Sequence, residues 1–253
     1  MKKVLFFGDS NTYGYDPAGY FGGRYPRAQR WTTILQERLA DDWKISDDGL
    51  PGRAIPVTRR EWEILGGYVR SEMPLDLFAV MLGTNDLLST IRPDAAATAR
   101  RMNDMITYVD RVLQESMLQG AEEAVHGADA AARGAEDSPQ DADTASREAG
   151  DAVRVAGAAS LSPQILLIAP PQIRLTDLSY AEPYVRGDKS YAQVYYEEGQ
   201  KLASYYKELA EYRGLLFADA SSWDLDFAYD GVHLSERGHE VFAQEMEKVL
   251  RQI

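Results

Sequence analysis

One recurrence constrains this chain more than any other feature: a short apolar run stops at a glycine or a turn residue, and a helix-length segment follows. Val4-Leu5-Phe6-Phe7 is closed by Gly8-Asp9, and comparable runs lie at Leu77 to Leu82, Ile165 to Ala169 and Leu215 to Ala218, with a weaker one at Trp43 to Ile45. Runs this short, bounded by turn signals, read as buried strands. Between them, Arg30 to Ala40, Arg60 to Ser71, Pro93 to Leu118, Ser190 to Tyr212 and Ser235 to Gln252 are long enough for helices. Strands alternating with helices specify an α/β fold with a parallel sheet. In the third helix Met102, Met105, Ile106, Val109, Val112, Leu113 and Met117 recur at steps of three or four, the spacing of a core-facing stripe.

With 253 residues, 45% of them apolar, the chain can build one sizeable core, so a single domain over 1–253 is expected. Residues 119–160 break the pattern: they are rich in Ala, Gly, Asp and Glu, lack aromatics and carry nine acidic side chains against three basic ones. Such a segment cannot bury a core and reads as an exposed acidic insertion, either partly helical through its alanines or a disordered loop. A lid or a contact in a homo-oligomer are its functional readings. The net charge of −13 repels polyphosphate and anionic lipid, which argues against nucleic acid or a membrane as partner. No stretch approaches the roughly 20 apolar residues of a membrane span, and because the first apolar run is only Val4 to Phe7, no secretion signal is expected. Cysteine is absent, which excludes disulfides, thiolate catalysis and cysteine-ligated metals, and the expected compartment is the cytoplasm.

Histidine occurs only at positions 126, 233 and 239, so a general base near neutral pH has few candidates. In Asp230-Gly231-Val232-His233 a carboxylate precedes an imidazole by three residues, close enough to fold back onto one ring nitrogen and leave the other free for a proton. An Asp-Gly turn feeding a helix capped by Ser235 fits the same residues. Ser10, in Gly8-Asp9-Ser10-Asn11, follows the first strand, and ligands of open parallel sheets bind beyond the strands' carboxyl ends; it also fits a loop residue or helix cap. Asn85, in Gly83-Thr84-Asn85-Asp86, opens at the same edge and could donate its amide to an oxyanion, or simply form a turn. Asp48-Gly49-Leu50-Pro51-Gly52-Arg53 follows the weak strand, and Gly52 lets a backbone N–H approach a ligand closely.

Taken together and in this order, the blocks Gly8-Asp9-Ser10, Gly49-Leu50-Pro51-Gly52, Gly83-Thr84-Asn85-Asp86 and Asp230-Gly231-Val232-His233 resemble those of the SGNH (GDSL-type) hydrolases, over nearly the whole chain outside 119–160. The resemblance implies a flavodoxin-like three-layer α/β/α sandwich with a five-stranded parallel sheet. It implies Ser10 as nucleophile, His233 as base, Asp230 as the residue that orients it, and the Ser10 and Gly52 backbone N–H groups with the Asn85 side chain as oxyanion donors. Tyr13-Gly14-Tyr15 and Arg30-Trp31 further resemble the arylesterase and acyltransferase branch, in which aromatics at the positions of Tyr13 and Tyr15 narrow the acyl pocket. Asp48 departs from the family, which often has Asn there.

The expectation is therefore a serine esterase acting on short-chain carboxylic esters, such as acetyl or aryl esters or O-acetylated sugars, through an acyl-serine. An acyltransferase to an alcohol or sugar hydroxyl is one rival, and a carbohydrate- or ester-binding protein without turnover is another. No metal or organic cofactor is implied; a mixed cluster of Asp and His could in principle bind a divalent ion, but the carboxylates near Ser10 have no second histidine at ligand spacing. His239, six residues past His233, is expected to face solvent or core.

Overall fold

The computed structural model describes residues 1–19, 23–135, 162–174 and 189–253. From the amino terminus, β1 (Lys2–Gly8) leads into a short helix α1 (Ser10–Tyr13), an antiparallel pair β2 (Tyr15–Asp16) and β3 (Gly23–Arg24), and helix α2 (Trp31–Arg38). Then come β4 (Trp43–Gly49), α3 (Arg59–Glu72), β5 (Leu77–Met81), α4 (Thr84–Leu88) and α5 (Ala95–Ala135). The chain continues through β6 (Gln164–Ala169), α6 (Lys189–Arg213), β7 (Leu216–Asp219) and α7 (Glu236–Leu250). Five strands pair in parallel in the order β4-β1-β5-β6-β7, the sheet expected from the apolar runs.

Because side chains alternate across a strand, each run splits between two cores. Leu5, Phe7, Phe78, Val80, Ile165 and Leu167 meet α3, α5 and α6 through Leu65, Val69, Met105, Val109, Leu202 and Tyr206. Val4, Phe6, Leu77, Ala79, Leu166 and Ile168 meet α2 and α7 through Trp31, Leu35, Phe242 and Met246. The result is the three-layer α/β/α sandwich, and two covered faces explain why the central strands are apolar without interruption.

β4 is an edge strand and only partly buried, so its apolar signal fades after Ile45. It nevertheless runs on to Gly49 because β1 pairs it residue for residue, from Lys2 with Trp43 to Gly8 with Gly49. The third helix departs from its expected end at Leu118 and continues to Ala135, into the acidic segment; alanine and glutamate in 121–124 are strong helix formers. The expected stripe is buried from Met102 to Leu113, with Met117 half-buried. The rest of the expected insertion, residues 136–160, lies outside the described residues. No helix among the described residues is long and apolar enough to cross a membrane.

His239 belongs to the core: it is fully buried, its ring meets Tyr25 edge-on at 5.2 Å, and neither ring nitrogen has a hydrogen-bond partner among the described residues. Burial, with the Arg30 and His233 charges nearby, pulls its pKa from 6.5 to about 4. The unfolded chain therefore takes up this proton first, and His239 weakens the fold as pH falls from 6.5 toward 4. Asp9 has the opposite sign, since burial raises it from 3.8 to about 6 and the folded state binds its proton first. The wild-type stability curve thus blends the two, and a difference separates them. His239→Leu is expected to gain stability over wild type as pH falls from 6.5 to 4, by about 3 kcal/mol across the window. Urea unfolding of both proteins at several pH values measures the gap; a gap that stays constant would mean the imidazole reaches water or a partner.

Candidate active site

The sheet register sets three loops side by side, because Gly8 at the end of β1 pairs with Gly49 of β4 and with Met81 of β5. Each strand delivers one sequence block to the same carboxyl edge. Helix α1 lies directly on the end of β4: a Cβ added at Gly49 would sit 2.1 Å from the Tyr13 backbone nitrogen, so only glycine fits. Asp9 caps α1 by accepting the Asn11 N–H at 3.0 Å, which leaves Ser10 as the first helical residue. Gly52 has a φ of +76°, a left-handed conformation that glycine adopts without strain.

The fourth block arrives from 221 residues away and is fastened by Asn11, to which the sequence assigns no role. Its Nδ2 donates to the Val232 carbonyl at 3.1 Å, and its Oδ1 accepts the Leu234 N–H at 2.9 Å. One amide thereby brackets His233 on both sides. Trp31 holds Asn11 in turn, its indole N–H donating to the Asn11 carbonyl at 2.9 Å. Nothing local in the sequence separates this asparagine from a turn residue.

Ser10, His233 and Asp230 form one hydrogen-bonded chain. His233 Nε2 lies 3.0 Å from Ser10 Oγ, and Nδ1 lies 2.6 Å from Asp230 Oδ2. Asp230 Oδ1 accepts the backbone N–H groups of Val232 and His233, each at 3.0 Å. Burial pushes the Asp230 carboxyl up, but the His233 side chain and these two backbone donors outweigh it and hold the group below the usual aspartate value. The carboxylate is therefore ionised beside Nδ1 and fixes the proton there. Asp226, the neighbouring carboxylate, is taken up by the Ser235 hydroxyl at the start of α7.

Asn85 Nδ2 donates to the Arg53 carbonyl at 3.0 Å and reaches Asp9 Oδ2 at 3.5 Å, so its amide sits between the residue after Gly52 and the residue before Ser10. Asp86 ties its own loop to the one that carries Gly52, its Oδ2 accepting the Ile55 N–H at 3.1 Å while Arg101 pairs with Oδ1 at 2.7 Å. The two tyrosines part company. Tyr15 packs its ring 4.6 Å from the His233 ring, whereas Tyr13 lies under the Arg24 guanidinium at 4.0 Å. Among the described residues no group of three or more His, Asp or Glu side chains could hold a metal ion.

A sequence model of the GDSL-like lipase/acylhydrolase family matches residues 6–241. The chain is similar in structure to a protein assigned as an arylesterase from Agrobacterium tumefaciens, with 27% identity, a TM-score of 0.68 and 100% of both chains covered. It is similar to a carbohydrate acetylesterase family member from Sinorhizobium meliloti, with 25% identity, a TM-score of 0.68, and 100% of this chain and 98% of that one covered. The aryl esterase of M. smegmatis shares the fold, with a TM-score of 0.69 at 21% identity over 100% of this chain and 99% of that one. No curated protein sequence matches the chain significantly.

Proposed function

The chain belongs to the GDSL-like lipase/acylhydrolase family, and from that premise we propose that this carboxylic ester hydrolase cleaves short-chain esters through an acyl-serine at Ser10. The observation that carries the reading is the chain Ser10 Oγ, His233, Asp230, with contacts of 3.0 and 2.6 Å, at the edge where Asn85 and Gly52 also stand. Ser10 Oγ attacks the ester carbonyl carbon while His233 Nε2 takes its proton. The carbonyl oxygen becomes an oxyanion, met by the backbone N–H groups of Ser10 and Gly52 and by Asn85 Nδ2. Collapse breaks the bond to the leaving alcohol, which departs with the proton from Nε2. Water then repeats the sequence on the acyl-serine: His233 accepts its proton, hydroxide adds to the carbonyl, and the acid leaves as the proton returns to Ser10. Asp230 stays ionised throughout and supports the imidazolium.

A fluorophosphonate probe tests the nucleophile. It is expected to modify Ser10 in the wild type and to leave Ser10→Ala unmodified; an unmodified wild type would favour a binding protein without turnover.

Substrate size follows from Tyr15. A ring against the catalytic imidazole leaves little room beside the reacting carbonyl, which favours acetyl and propionyl groups, in keeping with the arylesterase and acetylesterase descriptions of the structural neighbours. Each methylene that finds no pocket forfeits about 0.8 kcal/mol of burial, so two carbons are worth roughly tenfold in kcat/KM. Tyr15→Ala is expected to raise kcat/KM for butyryl and hexanoyl p-nitrophenyl esters relative to acetyl by at least that factor. The ratio is the readout, since loss of the contact with His233 lowers all three. Tyr13→Ala, whose ring Arg24 covers, is expected to shift the profile less. A wild type that already prefers octanoyl esters would rule out the small pocket.

A further inference from the structure

Arg53 occupies the centre of the site although it touches none of the proposed reacting atoms. Its side chain is only 10% exposed. Nη2 faces both carboxylate oxygens of Asp48 at 3.1 Å each; Nη1 donates to the Gly8 carbonyl at 2.9 Å and also to the Asp48 carbonyl. The guanidinium lies 4.1 Å over the Phe7 ring. Its own backbone carbonyl accepts Asn85 Nδ2, and its backbone N–H donates to the Leu50 carbonyl at 3.1 Å. The Leu50 N–H in turn reaches the Gly8 carbonyl at 3.2 Å.

These contacts converge on three points. Gly8 stands two residues before Ser10, Gly52 immediately precedes Arg53, and Asn85 is held by the Arg53 carbonyl. Each loop that supplies a proposed oxyanion donor is thus tied to this one residue. Stability is a poor reason for the arrangement, because a buried ion pair gains little over apolar side chains of similar volume once its desolvation is counted. A planar fork that reaches a carboxylate and two carbonyls at once is something arginine supplies and lysine does not. The aspartate at position 48 fits the same logic: a charged partner for the fork stands where the resembling family often has a neutral amide.

We propose that Arg53, seated on Asp48, is the positioning residue of the oxyanion hole: it holds the Ser10, Gly52 and Asn85 donors in mutual register. The proposal rests on the acyl-serine reading above. Donors held in place beforehand act on the charge that appears in the transition state and little on the neutral ester, so the effect belongs in kcat rather than KM.

The test compares Arg53→Met, Arg53→Lys and Asp48→Asn with wild type on p-nitrophenyl acetate. A trifluoromethyl ketone serves as second probe, since Ser10 adds to its carbonyl and places an oxyanion in the hole. Arg53→Met is expected to lose roughly 30- to 300-fold in kcat with KM within about threefold, and to bind the ketone more weakly by the same factor. Arg53→Lys keeps the charge without the fork and is expected to recover only part of the loss. Asp48→Asn keeps an acceptor for Nη2 and should remain within about tenfold of wild type. If Arg53→Met does not fold, Arg53→Lys decides the matter by the same split between kcat and KM. Lysine and methionine variants with kcat within threefold of wild type would overturn the proposal, as would a loss that appears in KM and leaves ketone affinity intact. A wild type that neither hydrolyses esters nor takes the fluorophosphonate would overturn the acyl-serine reading, and this inference with it.

Discussion

Ser10→Ala and His233→Ala are each expected to lower kcat by about four to six orders of magnitude, and the double variant should be hardly worse than either one. The reason is geometric. Every proton that His233 Nε2 moves in the proposed scheme serves the making or breaking of the acyl-serine, beginning with the one from the hydroxyl 3.0 Å away, so without Ser10 there is no acyl-enzyme for the imidazole to serve. Conversely, a serine hydroxyl without its base is a weak nucleophile at neutral pH. Each single variant therefore disables the same step. The turnover that remains comes from the backbone N–H groups and Asn85, which still bind a developing oxyanion when water attacks the ester directly. Stopped assays on p-nitrophenyl acetate, corrected for spontaneous hydrolysis, are sufficient to see it. Losses that multiply in the double variant would mean that the two side chains serve separate steps, and the acyl-serine scheme would have to be abandoned.

Legibility in the sequence followed burial and distance along the chain. β1, β5 and β6 were visible because both faces of the sheet are covered, which makes their residues uniformly apolar. β4 was faint because an edge strand is half exposed and tolerates Asp47 and Asp48 among its ladder residues. The end of α5 lacked a signal for a related reason: apolar periodicity reports helix only where a helix packs, and residues 118–122 are exposed. The same division runs through the site. Ser10, Asn85, Asp230 and His233 stand directly after strands or beside turns, where a reactive side chain has a local signature. Asn11, Arg53 and Asp86 had none. Their partners are backbone groups 221, 45 and 31 residues away, brought near only by the sheet register. A side chain that works by holding distant backbone looks, in a linear sequence, like any other polar residue in a loop.

Asp230→Asn is expected to fold normally and to lower kcat by about three to four orders of magnitude with little change in KM. The Asp230 carboxylate accepts three hydrogen bonds, two from backbone N–H groups through Oδ1 and one from His233 Nδ1 through Oδ2. An amide side chain can keep the two backbone donors only by turning its oxygen toward them, which points its NH2 at Nδ1. The imidazole must then carry its proton on Nε2, the nitrogen that faces Ser10, which leaves that nitrogen no lone pair to accept the proton of the hydroxyl. Flipping the amide restores the useful tautomer but sets NH2 against two N–H donors, at a cost of about 1–3 kcal/mol for each donor left without an acceptor. Neither arrangement supplies an effective base, although the Asn11 clamp on Val232 and Leu234 keeps the loop in place. Asp226→Asn is the matched control. Its carboxylate serves the Ser235 hydroxyl rather than the imidazole, so turnover should stay within a few-fold of wild type. Near-normal turnover in Asp230→Asn, with a severe loss in Asp226→Asn, would mean that the loop rearranges in solution and that the carboxylate at 226 orients the base.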